Sequence, residues 1–194
     1  MANDSSTGGY LLPNSAPPLD DQALDRFFHD VFMGVTGLSA KLIRPRWQPE
    51  PGNMPAPGVT WIAQGVTEYH DDGVAWQHLN PATQIYTLCR NQILINLVSV
   101  YGATANATEA LLRDGLSLDQ NREAMNLQGI ALVRVGDPRN ASMLINEQWQ
   151  KRIDVPITFR RLISRTYPVL SLLSGEVQIR TDTGLIETVN ITNT

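Results

Sequence analysis

Apolar residues early in the chain recur at helical spacing. Leu24, Phe27, Phe28, Val31 and Phe32 share one face of a 3.6-residue repeat, and Asp20 or Asp21 stands where an N-cap belongs. Gly34 or Gly37 offers a left-handed stop, so the pattern predicts an amphipathic helix of about four turns. Further on, the period changes to two. In residues 60–70, Trp61, Ala63, Gly65 and Thr67 alternate with Ile62, Gln64, Val66 and Glu68, which predicts a strand weakened by its glycine. Asp71-Asp72-Gly73 reads as a turn. Residues 83–101 are the richest β-branched and aromatic stretch. At about 3.3 Å per residue a single strand there would run roughly 60 Å. Either it breaks near Arg90-Asn91, or it forms a long ribbon ended by Gly102.

A second helical pattern starts at a cap on Asn106 and runs to about Gln128, with Ala110, Leu111, Leu116, Leu118 and Met125 as apolar positions. Gly115 and the polar stretch after it leave two short helices as open as one long one, and Gly129 makes a stop. Residues 130–136 read as a strand, Asp137-Pro138 as a turn, and 141–149 as one or two helical turns. From 150 to 163 alternation is regular: Ile153, Val155, Ile157 and Phe159 face one way, Arg152, Asp154, Pro156, Thr158 and Arg160 the other. Pro156 moves this strand to a sheet edge or to a bulge. Residues 167–174, 176–181 and 185–191 read as short strands, with turns at Ser174-Gly175 and Thr183-Gly184.

This order predicts an α+β fold: a mostly antiparallel twisted sheet with a long strand or β-hairpin, two main helices packed on one face, and an extended N-terminal arm. Residues 1–19, rich in Ser, Gly, Asn and Pro, are the arm, with Tyr10, Leu11 and Leu12 its only sticky spot. Residues 20–175 form the domain. It includes the loop 44–58, whose five prolines rule out a helix or central strand. Residues 176–194 are C-terminal strands or a tail.

Composition narrows the chemistry. The 194 residues suffice for one domain with arms, and the 18% charged share is below the usual level of about 25%. No apolar run reaches the roughly 20 residues that cross a bilayer, and the N-terminus lacks the features of a signal peptide. A soluble, cytoplasmic chain is the expectation. Cys89 alone cannot form an internal disulfide, and no Cys/His set has zinc spacing. The net charge of −4 weighs against a dedicated nucleic-acid binder. Only Lys41 and Lys151 are lysines; the other thirteen cations are arginines, which suit bidentate contacts and interfaces.

Nucleophile-elbow, phosphate-loop and dinucleotide motifs are absent. His70, Asp71 and Asp72 can be imagined as a metal site or a small hydrolase centre, but their composition is that of a polar turn. His29 and His78 have no partner at ligand spacing, and Cys89 reads as a buried, inert thiol. Two arginine groups remain. Arg44 and Arg46 flank Pro45 beside Trp47; Arg160, Arg161 and Arg165 follow Lys151 and Arg152. They read either as a surface touching a subunit, a partner or DNA, or as salt bridges inside the fold.

Several stretches, taken in order, resemble the neck or tail terminator proteins of tailed bacteriophages. They are SSTGGYLLP at 5–13, RPRWQPEP at 44–51, SVYGATA at 99–105, RDGLSLDQNRE at 113–123, VRVGD at 133–137, QWQKRIDVPITFRR at 148–161 and RTYPV at 165–169. The resemblance covers residues 5–175, and none of its motifs is catalytic. It implies a structural protein, with neither enzyme activity nor cofactor. Such proteins form a hexameric ring that caps the tail tube, stops its polymerisation and joins the tail to the head, leaving a channel for DNA. Partners implied are further copies of the chain, the tail tube protein and the head–tail connector or adaptor. A tail sheath is a further candidate, DNA is only passing cargo, and no membrane is involved. The implied location is the neck or tail of the virion, assembled in the host bacterial cytoplasm. A ring of the same fold at another tail station, clamping the tube to the baseplate or holding the sheath, fits the sequence as well. By motif position, Arg44, Arg46 and Trp47 brace the proline loop against a neighbour. Arg160, Arg161 and Arg165, with Arg152, contact a subunit or partner near the channel. Tyr10 and Leu11 fasten the arm to an adjacent ring.

Overall fold

A computed structural model describes residues 3–4, 6–48, 52–56, 58–80, 83, 85–145, 147–169, 174–180 and 186–192. The chain divides into two compact units. One comprises Pro17–Trp76 and Cys89–Ser164, the other Met1–Ala16, Gln77–Leu88 and Arg165–Thr194.

The first unit opens with helix α1 (Asp21–Thr36), which buries Leu24, Phe28 and Phe32 and half-buries Phe27 and Val31 as its pattern predicts. Of the two candidate stops, Gly37 is used: its φ of 70° lets its N–H reach the Met33 carbonyl at 2.9 Å. A 3-10 turn at Ala40–Leu42 leads into β1 (Ile43–Pro45). The proline-rich stretch therefore starts as a short edge strand, parallel to the start of β2 (Trp61–Asn80), before it becomes a loop. Residues 49–51 and 57 of that loop lie outside the described residues.

Strand β2 continues through Asp71-Asp72-Gly73, with Gly73 at a φ of 88°, so the turn expected there does not form. Cross-strand pairing overrides turn composition. The Asp71 carboxylate accepts from Arg90 and Gln92, and Asp72 pairs with Arg160 at 3.0 Å. Strand β3 (Ile85–Tyr101) is likewise unbroken at Arg90-Asn91, which makes the long ribbon the correct alternative. Contacts between Gln64 and Asn96, Thr67 and Ile95, and Asp71 and Gln92 give the falling register of antiparallel neighbours. Gly102 ends β3 at a φ of 103°, with the Val59 and Thr60 backbone packed where a Cβ would project.

The second helical pattern splits into α2 (Ala105–Ser117) and α3 (Asp119–Asn126). Its N-cap is Thr104 rather than Asn106, and the break falls at the extended residue Leu118, within the polar stretch that follows Gly115. Gly115 stays helical and lets α2 approach Val35 of α1 closely. Next come β4 (Ile130–Val135), β5 (Arg139–Asn140), β6 (Met143–Ile145), β7 (Gln148–Gln150) and β8 (Arg152–Tyr167). The expected helical turns at 141–149 are instead the antiparallel pair β6 and β7, turned by Glu147 at a φ of 64°.

The main sheet has the order β1-β2-β3-β8-β4, with β5 also on β8. Strand β8 is therefore internal, which removes the edge position, one of the two that Pro156 suggested, the other being a bulge. Val135 of β4 pairs with Ile157 and Arg139 of β5 with Asp154, so Pro156 lies at the joint between the two partners. Its carbonyl takes the Gly136 N–H at 2.8 Å, and the missing proline N–H falls where the ladder changes hands. Ile153, Val155, Ile157 and Phe159 join Ile62, Leu94, Val98 and Val100 in the core beneath α1 and α2. The Phe28 ring sits 4.8 Å from that of Phe159. The fold is thus α+β, a mostly antiparallel sheet with its helices on one face. No helix among the described residues is long and apolar enough to cross a membrane.

In the second unit, β9 (Ser174–Arg180) and β10 (Ile186–Thr192) pair antiparallel along their whole lengths. Ser174 and Gly175 belong to β9 and do not form the expected turn. The turn at Thr183-Gly184 and residues 170–173 lie outside the described residues. The Asn14 N–H donates to the Thr166 carbonyl at 2.9 Å, and the Thr166 N–H to Ser15 Oγ at 3.2 Å, which fixes the base of the arm.

Candidate functional site

The pleat divides the main sheet into a face under the helices and a face without them. On β8 the open face carries Arg152, Asp154, Pro156, Thr158 and Arg160; on β3 it carries Leu97, Ser99 and Tyr101. A ladder of cations, aromatics and one carboxylate crosses this face. Arg44 lies over the Trp61 ring, with Cζ 6.0 Å from the ring centre, and Trp61 stacks on Tyr101 at 4.3 Å and 6°. Arg152 covers the Tyr101 ring at 5.5 Å and grips Asp154 with two hydrogen bonds of 2.7 and 2.9 Å. Ser99 Oγ donates to the same carboxylate and accepts from Arg46, whose Nε also donates to the Leu97 carbonyl at 3.3 Å.

Electrostatics follow from these contacts. The Asp154 hydrogen bond holds the Arg152 guanidinium above its ordinary pKa, while burial pushes that of Arg46 down. Both stay protonated at any physiological pH. The stacked pair and the two cation–π contacts contribute about 0.5–1.5 kcal/mol each. The ladder welds β1, β2, β3 and β8 into one plate. Arg44 extends it to the proline loop through the Asn53 carbonyl, at 2.8 Å.

The structure brings Arg44, Arg46 and Arg152 together and separates the rest of the expected set. Trp47 is 71% exposed at a φ of 55°, its ring against Gly65. Arg160 is half in solvent and paired with Asp72. Arg161 points the other way and is buried, donating to the Leu19 carbonyl, Asp20 at 2.7 Å and Gln92 at 2.7 Å. Arg165, in the second unit, is half-buried. In the arm, Tyr10 is 94% exposed and Leu11 half-buried. Sequence reasoning missed Trp61, Ser99, Tyr101 and Asp154. The readable signal was the two-residue spacing of Ser99 with Tyr101 and of Arg152 with Asp154, which puts each pair on one face of a strand.

Beyond the ladder the open face turns apolar. Ile93, Ile95 and Leu97 are half-buried along β3, Leu162 is exposed on β8, and Val74 and Trp76 are exposed on β2. Between Gln64, opposite Asn96, and Asp71, opposite Gln92, the register on β3 shifts by an odd number of residues, so the face that takes Trp61 at an odd position takes Asp72, Val74 and Trp76 at even ones, as the Asp72–Arg160 pair marks. The imagined metal or hydrolase trio does not converge. His70 pairs with exposed Glu68 at 2.9 Å, and the adjacent carboxylates of Asp71 and Asp72 go to opposite faces. Among the described residues, no three His, Cys, Asp or Glu side chains are grouped as a metal would require. A groove of about 580 Å³ between α1 and α3 is lined by apolar residues such as Phe27, Val31 and Met125, with Arg26 and Asp30 its only charged members. Cys89 is half-buried beside Ser164.

Two comparisons with known proteins bear on the chain as a whole. The family model described as phage neck terminator protein matches residues 22–184, which takes in both helical patterns and every strand of the main sheet. No curated protein matches the chain.

Proposed function

Because the chain belongs to the phage neck terminator family, a structural protein of the virion neck, we propose that it forms a closed ring there. The ring, six copies by family resemblance, caps the tail tube, stops its polymerisation and joins the tail to the head connector. Its centre stays open for DNA. The observation that carries this reading is the helix-free face of the sheet, braced by the Arg44, Trp61, Tyr101, Arg152 and Asp154 ladder and apolar beyond it. A ring needs one rigid patch to meet a different patch on the next copy, and a plate tied across four strands holds such a patch in register.

In this reading the arginines divide their work. Arg46, Arg152 and Arg161 satisfy groups inside the chain and keep the plate flat against its helices. Arg160 and Trp47, exposed at the rim, meet a neighbouring subunit or connector. Tyr10 in the arm reaches an adjacent ring. A neck station is favoured over a baseplate station by the family matched. Gold labelling of intact virions tests the location: label at the head–tail junction supports the reading, and label at the far tail tip overturns it. Substituting Arg160→Glu with Trp47→Ala tests the contact. Overlong or unjoined tails are expected, and normal infectious particles would contradict the assignment.

A further inference from the structure

Helix α1 has two faces with different surroundings. One carries Leu24, Phe28 and Phe32 into the core. The other forms, with α3, the groove of about 580 Å³ whose floor is apolar. Both helices belong to the first unit, so the groove is complete within it. Along α1 its wall reads Ala23, Arg26, Phe27, Asp30, Val31 and Gly34. Steps of three and four residues make one continuous stripe, about three turns or roughly 16 Å long. Stripes of this form receive another helix.

Two features of the stripe are not explained by contacts inside the chain. Gly34 is helical, and no atom lies within 4 Å of where a Cβ would stand. Glycine inside a helix is destabilising relative to alanine. Gly115 of α2 differs, because Val35 packs where its Cβ would project. The second feature is charge. Arg26 is exposed and forms no ion pair among the described residues. Asp30 is mostly exposed, with His29 on one carboxylate oxygen at 2.9 Å.

The stripe is complementary to itself. Arginine and aspartate stand four residues apart, small residues mark the two ends, and Phe27 and Val31 lie between. Let a second α1 lie antiparallel, with a two-fold axis at the level of residue 28. Each Arg26 then faces the other copy's Asp30. Ala23 comes level with the other copy's Gly34 to within a residue, and the two Phe27 rings meet beside the axis. Each α1 fills the groove of the other, with an α3 on either side, as helices pack in a four-helix bundle. We propose that the groove between α1 and α3 is an isologous docking site, and that its occupant is helix α1 of a second copy. Such a contact closes at two. It is distinct from the head-to-tail contact of a ring, so it goes beyond the ring reading and does not rest on it.

The test is sedimentation of the full chain at up to about 100 μM, a concentration that fills micromolar contacts. Wild type should form a dimer. Arg26→Glu sets like charges opposite each other twice, and should weaken pairing on the order of 100-fold while circular dichroism stays unchanged. Asp30→Arg should do the same. An equimolar mixture of these two variants restores both ion pairs and should form a heterodimer. The chain carrying both changes should pair with itself. Gly34→Leu, a better helix former, should block close approach and leave a folded monomer. Arg134→Glu, the same charge change at an exposed site on β4, should pair as wild type. A monomeric wild type, dimers indifferent to the reversals, or a mixture that does not pair would each overturn the proposal. Gold label at the virion neck would stand through that failure, so the two readings fail separately.

Discussion

Arg160 and Arg161 are adjacent on β8 and identical in chemistry, and the sheet sends them to different worlds. Arg161 enters the helix-covered face, where it is 5% exposed and its guanidinium is spent on Leu19, Asp20 and Gln92. Arg160 stands on the open face, half in water and held by one carboxylate. The same division holds along the strand, with Ile153, Val155, Ile157 and Phe159 on one side and Arg152, Asp154 and Thr158 on the other. The covered face closes on its own interactions. The open face satisfies its charges within the chain and leaves apolar side chains over, which is what a contact surface requires.

This contrast breaks most readily on the covered side. Phe28→Ala removes a ring packed on Phe27, Phe32 and Phe159 and should cost about 3–5 kcal/mol in chemical denaturation. Arg161→Ala should cost about 2–3 kcal/mol by orphaning buried partners, and Arg161→Lys should recover little because an ammonium cannot copy the fork. On the open face, Asp154→Ala releases Arg152 and Ser99 together and should cost about 1–2 kcal/mol. Arg160→Ala should change stability by less than about 0.5 kcal/mol, since exposed pairs contribute little, while impairing tail joining. If its stability cost matched that of Arg161→Ala, the two faces would not differ as described. The smallest effect is a pH dependence. Burial, helped by Asp21, raises the Asp25 carboxyl above its ordinary 3.8. A raised carboxyl favours the protonated fold, so its penalty is absent below pH 3.8 and grows as pH rises through the folded value. Asp25→Asn should therefore stabilise slightly at neutral pH and not in acid; a gain of equal size at both would contradict this.

Periodicity made the architecture legible wherever burial governs. The stripe from Leu24 to Phe32 and the alternation from Ile153 to Phe159 both name their buried members, since amphipathic spacing records which side meets a core. Composition misled where pairing governs. Asp71-Asp72-Gly73 has turn chemistry, yet Arg90 and Arg160 across the sheet hold it within the strand. Pro156 is an edge residue by rule, and only the register of β4 and β5 shows the gap that accommodates it. The ladder was half visible: its arginines stood out, but Trp61, Tyr101 and Ser99 come from strands distant in sequence. Nothing local to Arg161 distinguishes it from Arg160 except parity.

The most direct measurement is hydroxyl-radical footprinting of the free protein and of the same chain in assembled virions. Trp76 and Leu162 report the open face, and Leu118 and Leu127 the helix side; all four are exposed in the free chain. Assembly should protect Trp76 and Leu162 strongly and leave Leu118 and Leu127 reactive. Protection of the leucines beside the helices, with Trp76 and Leu162 as reactive as in the free protein, would show that the open sheet face is not the one the neck uses.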